Sequence, residues 1–78
     1  MRKKDRVNLK LLRYIRDYRD EHEYSPVLRE MKEAMGWASR STAHFAVDRL
    51  EKKGYITRLH GSARTIKLTE KGFDRLNG

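Results

Sequence analysis

The 78-residue chain has no cysteine, one proline and no long apolar run. Each absence removes a class of protein. Without cysteine there is no disulfide framework, no thiolate zinc site and no thiol nucleophile. A secreted domain this small usually needs such staples, so a reducing interior, the cytoplasm, is the expected home. The opening Met1-Arg2-Lys3-Lys4 carries the charge of a signal peptide, but Arg13, Arg16 and Asp17 interrupt the stretch after it. Nothing approaches the roughly 20 apolar residues of a membrane span. His22, His44 and His60 share no ligand spacing with one another or with carboxylates, so no metal is expected. No glycine-framed nucleophile or glycine-rich phosphate loop accompanies the serines and histidines. An enzyme, a cofactor and a small-molecule ligand are therefore not expected. The length allows one domain, residues 1–78, with a small core.

What the chain does have is positive charge. Lys and Arg number 19 against 11 Asp and Glu, a net charge of +8. That balance favours a polyanionic partner, with nucleic acid ahead of an anionic membrane surface. Arg2, Lys3, Lys4 and Arg6 cluster at the start and read as a basic arm over residues 1–5, or as a solubilising end.

Asp5 can cap a first helix from about Arg6 to His22, in which Val7, Leu11, Tyr14, Ile15 and Tyr18 make one apolar stripe with Leu12 on its margin. Ser25-Pro26 opens a second helix, since proline suits a first turn. Leu28, Met31, Ala34 and Met35 form its inner face, Gly36 its left-handed cap, and Trp37 plugs the corner. Ser39 is the N-cap of a third helix over about Arg40 to Lys53, closed by Gly54. After Gly54 the period changes. Residues 55–59 and 64–68 are rich in β-branched and aromatic side chains, with a short turn at 60–63, and read as a hairpin. Residues 69–78 form a polar tail in which Thr69 can cap a helical turn or two. The expectation is α+β, mainly α: a winged helix-turn-helix of three helices and a two-stranded antiparallel wing, with the helix-turn-helix at 25–54 and the wing at 55–68.

The third helix carries the chemistry. If Ala43, Val47 and Leu50 face the core, then at about 100° per residue Ser41, His44, Phe45 and Asp48 point away. An outward phenylalanine is costly in water, whereas the thymine methyl in the major groove gives it a partner. Packing against the wing or a second copy is the other reading. Ser41 and Thr42 are short hydroxyls that suit base edges or phosphates, and serve equally well as caps. His44 suits a guanine or a phosphate. Arg40, Arg49, Lys53, Arg58, His60, Arg64 and Lys67 are the expected phosphate ligands, with strand alternation placing Arg58, His60 and Lys67 opposite Ile56, Ile66 and Leu68.

Particular runs then become informative: Tyr24-Ser25-Pro26, Arg29-Glu30, Glu33-Ala34-Met35-Gly36, Ala38-Ser39-Arg40-Ser41-Thr42 with His44, and Leu50-Glu51-Lys52-Lys53-Gly54-Tyr55-Ile56. Together they resemble the N-terminal DNA-binding domain of LexA-type SOS repressors, over about Arg6 to Leu68. The resemblance implies sequence-specific repression, with Ser39, Ser41, Thr42 and His44 at base edges or nearby phosphates in the major groove. Lys53 and the wing would hold the backbone, and a dimer would sit on a palindromic operator. The family's Ser-Lys peptidase half has no counterpart here, so self-cleavage is not implied. Val27 stands where relatives often carry a capping serine, and Phe45 replaces a small or polar residue, which points to a different operator. The chain is expected to be a stand-alone regulator of a bacterium, phage or plasmid, or a piece of something longer. The alternative function is a winged-helix protein-interaction module, for example a phage- or plasmid-encoded modulator of a host protein.

Overall fold

A computed structural model describes residues 2–78; Met1, the first residue of the expected arm, lies outside the described residues. The chain runs α1 (Lys3–His22), α2 (Leu28–Met35), α3 (Arg40–Lys52), β1 (Ile56–Thr57), β2 (Lys67–Leu68) and α4 (Glu70–Asn77). The two strands pair antiparallel, Ile56 opposite Leu68 and Thr57 opposite Lys67. This is a mainly helical winged helix-turn-helix.

Helix α1 starts three residues earlier than its sequence suggests. Arg2 precedes it in extended conformation without a side-chain cap, and Asp5 lies inside the first turn. There its carboxylate meets the positive end of the helix dipole. Lys3 and Lys4 are therefore helical rather than part of an arm. Leu11, Leu12 and Ile15 are buried, with Asn8 beside them, whereas Val7, Tyr14 and Tyr18 are only partly covered. Leu12 is central rather than marginal because α1 is packed against β2 and α4 as well as against α2 and α3.

The second helix starts two residues later than expected. Val27 is the extended N-cap, so Ser25 and Pro26 lie outside the helix, both buried. The Val27 N–H donates to Glu30 Oε1 at 2.8 Å, and valine has no oxygen to return the bond. Leu28, Met31 and Met35 face the core; Ala34, expected there, is exposed. Gly36 adopts φ +73°, which glycine takes without steric cost, and the Trp37 N–H reaches back to the Lys32 carbonyl at 2.9 Å. The indole packs half-buried against the core.

In α3, Ala43, Ala46, Val47 and Leu50 form the buried flank. The helix ends at Lys52, and Gly54 at φ +81° turns the chain into β1.

The strands are shorter than the hairpin pattern suggests, because side chains replace the ladder. Thr65 Oγ1 accepts from the Leu59 N–H at 3.0 Å and lies within bonding distance of the Leu59 and Ser62 carbonyls. The Ile66 N–H turns inward to Ser25 Oγ, also at 3.0 Å. Ile56 and Ile66 are buried beneath α1 and α3, with Leu68 packed against them. The tail forms a full helix, α4. Thr69 caps it by accepting from the Gly72 N–H at 3.0 Å, and its hydroxyl donates to the Gly54 carbonyl at 2.6 Å.

Candidate nucleic-acid interface

Helix α3 is anchored along one flank and open along the other. Opposite the buried alanines, Val47 and Leu50, the side chains of Ser41, Thr42, His44 and Phe45 are exposed. Phe45 keeps 66% of its surface in solvent, with its ring 5.9 Å from that of His44. Ser39 occupies the N-cap but bonds no first-turn N–H; its hydroxyl lies 3.5 Å from Thr42 Oγ1 instead. The leading amides of α3 thus remain open at the positive end of its dipole, a place suited to phosphate. The five expected base-reading residues share this one exposed end.

The expected phosphate ligands divide. Arg40, Lys53 and Lys67 are exposed and make no ion pair among the described residues. His60 is exposed at the wing, with Nε2 3.1 Å from both oxygens of Glu51. Arg49 is half-buried and donates from Nε to Asn8 Oδ1 at 2.9 Å, which ties α3 to α1. Arg29, noted in the sequence only as part of the Arg29-Glu30 run and not as a phosphate ligand, is exposed and lines a cleft with Arg40 and the wing residues Gly61, Ser62 and Ala63. Its signal was its place in the first turn of α2, beside the start of α3.

Arg58 and Arg64, the other two expected phosphate ligands, are each engaged by carboxylates of the domain itself. Arg58 is only 14% exposed and pairs with Asp48 and Glu51 of α3. Arg64 adopts φ +59° and, with its side chain still 36% exposed, turns its guanidinium toward α1 and the segment before α2. There Nη1 donates to Glu30 Oε1 at 3.0 Å, the Tyr18 hydroxyl at 3.1 Å and the Ser25 carbonyl at 3.3 Å, with the Tyr24 ring beneath it. Strand alternation assigns a face but says nothing of such distant partners.

The Val27 N–H foremost, then the Tyr18 hydroxyl and Arg64, hold the Glu30 carboxyl below its ordinary range against partial desolvation. Because the folded value is the lower one, the stability from Glu30 is complete above the unfolded carboxylate value, about 4.3. It is lost as pH falls through the depressed folded value. In urea titrations from pH 7 to pH 2, Glu30→Gln will be less stable than the parent at neutral pH, and the gap will close in acid. Arg64→Ala will likewise lower the urea midpoint while leaving the salt dependence of DNA binding unchanged. A salt slope reduced by about one unit, with stability intact, would restore Arg64 to the phosphate ligands.

The family model described as "LexA DNA binding domain" matches residues 1–65. The chain belongs to the LexA DNA-binding domain family. Among LexA repressors, that of Shouchella clausii is 47% identical over 64 residues, covering 82% of this chain and 31% of the relative. Those of Oenococcus oeni and Lactobacillus johnsonii are each 43% identical over 68 residues, covering 87% of this chain and 32% and 33% of theirs. The chain spans about a third of the length of these curated relatives. The LexA DNA-binding domain thus accounts for α1, α2, α3 and most of the wing, while β2 and α4 lie beyond the family match.

Proposed function

We propose that this chain is a sequence-specific double-stranded DNA-binding regulator, a LexA-like repressor, that lays the leading half of α3 in the major groove. The observation that carries this reading is the exposed Phe45 on a helix whose opposite flank is buried. Ser39, Ser41, Thr42, His44 and Phe45 meet base edges, with Phe45 suited to a thymine methyl. Arg40, Lys53, Lys67 and His60, joined by Arg29, meet phosphates and position the helix without reading sequence. Arg49 supports α3 from behind. The net charge of +8 supplies most of the affinity and makes it salt-dependent. A palindromic operator takes two copies, one per half-site.

Selection from a random duplex pool at stated salt tests the reading, with Ser41→Ala and Phe45→Ala beside the parent. Each variant will relax preference at one base pair, by about 1–3 kcal/mol where a base contact is lost. Equal losses on every sequence would refute base reading by this face. Sedimentation at saturation will give two chains per palindromic duplex; one would refute pairing.

The second reading, a protein-interaction module, is favoured by one observation: Leu59 at the wing is 68% exposed, so a second large apolar side chain stands in open solvent as Phe45 does. Indifference to DNA at physiological salt would select it.

A further inference from the structure

His44, Asp48 and Glu51 stand at i, i+4 and i+7 on α3 and therefore form one stripe down the helix. The stripe begins at a base-reading position and descends toward the wing. Arg58, just past β1, joins it: Nη2 pairs with Asp48 Oδ1, and Nε lies 3.4 Å from Glu51 Oε1. The other oxygen of Asp48, Oδ2, lies 3.3 Å from His44 Nε2. Beyond Glu51, His60 ends the chain of groups at the wing. Each Asp48 oxygen thus has one partner, one on the wing and one on the reading face.

We propose that Arg58 is a positioning residue for base reading, fixing Asp48 so that Asp48 in turn orients the imidazole of His44. The proposal rests on the reading of α3 as the base-contacting helix. A histidine's second nitrogen is set by the bond the first one makes. The Asp48 carboxylate, 3.3 Å away, draws a ring proton to Nε2 by its charge, so neutral His44 keeps Nδ1 as its free hydrogen-bonding atom, and Nδ1 accepts. In the major groove, acceptors match cytosine N4–H or adenine N6–H, not guanine N7 or O6. Without Asp48 either nitrogen can carry the proton and the ring turns freely, so the acceptor preference fades. A guanidinium that is 14% exposed between two carboxylates is also poorly placed to reach a phosphate, which would have to compete with both.

The test is binding-site selection by the intact chain and by His44→Ala, Asp48→Ala and Arg58→Gln, with affinity followed against salt. His44→Ala will reduce discrimination at one base pair by about fivefold, the scale of one neutral hydrogen bond. Asp48→Ala and Arg58→Gln will reduce it at that same base pair, leaving other positions and the salt slope unchanged. Retained discrimination in both of these, with loss in His44→Ala, would overturn the relay while sparing base reading. No change in His44→Ala would instead sink His44 as a reader, and the relay with it. A salt slope lowered by about one unit in Arg58→Gln, with equal losses on all sequences, would make Arg58 a phosphate ligand and overturn the proposal. If Arg58→Gln does not fold, Asp48→Ala and imidazole ¹⁵N spectra of the free protein decide. The parent will carry its neutral-ring proton on Nε2, and Asp48→Ala will shift the population toward Nδ1. An unchanged population would refute the role of Asp48.

Discussion

Gly72→Ala will destabilise the domain by about 2 kcal/mol and lower its melting midpoint by roughly 8–16 °C. Gly72 is buried in the first turn of α4, against the backbone of Tyr55. A β-carbon there would meet the Tyr55 carbonyl oxygen and lie 3.1 Å from its carbon. Neither atom belongs to a flexible side chain, so α4 itself has to move. Yet α4 is pinned: the Thr69 N–H donates to that same Tyr55 carbonyl at 2.9 Å, and the Thr69 hydroxyl holds the Gly54 carbonyl. Overlap of this kind costs up to about 3 kcal/mol, while better helix propensity returns about 1. The net loss is a large share of the roughly 4–12 kcal/mol expected for a chain this long. Calorimetry checks it. A midpoint equal to or above the parent's would mean that α4 is free to shift away from Tyr55.

Ser25→Ala is expected to cost about 1–3 kcal/mol through one atom. The serine is fully buried, and its hydroxyl accepts from the Ile66 N–H at 3.0 Å. Alanine leaves that buried amide without a partner, and an orphaned donor loses more than the bond itself was worth. The same bond fastens the return limb of the wing to the segment that leads into α2. Its loss should therefore loosen the wing before it loosens the helices. Hydrogen exchange at Ile66 will accelerate more than exchange within α1, and the urea midpoint will fall. Uniform acceleration across the molecule would show that Ser25 stabilises only globally.

The helices were legible because their apolar periodicity reports one buried face each. Ala43, Val47 and Leu50 predict a buried flank, and from that flank the exposure of Phe45 follows by geometry alone. The glycine signals at Gly36 and Gly54 were equally local, since a positive φ is a property of the residue and its turn. What was not legible depends on distant partners. Arg64 resembles a surface cation in the sequence because Glu30 and Tyr18, which hold it, lie 34 and 46 residues away. Arg58 is held by nearer partners, Asp48 and Glu51 of α3, which only the turn between α3 and β1 brings alongside it. The strands shrank because Thr65 Oγ1 takes the Leu59 amide that a longer ladder would have paired with the Thr65 carbonyl. The late start of α2 depends on a distant partner, since Ser25, buried with Pro26 rather than helical, holds the Ile66 amide 41 residues on.

Titration of ¹⁵N-labelled protein with a duplex recovered by selection, followed amide by amide, tests the central claim most directly. Resonances of Ser39 to Phe45 will move first and furthest, wing residues around His60 and Lys67 will move next, and the outer face of α1 at Lys10, Arg13 and Asp17 will stay in place. Shifts concentrated on α1, with Ser39 to Phe45 unmoved at saturation, would contradict the assignment of α3 as the DNA-reading helix.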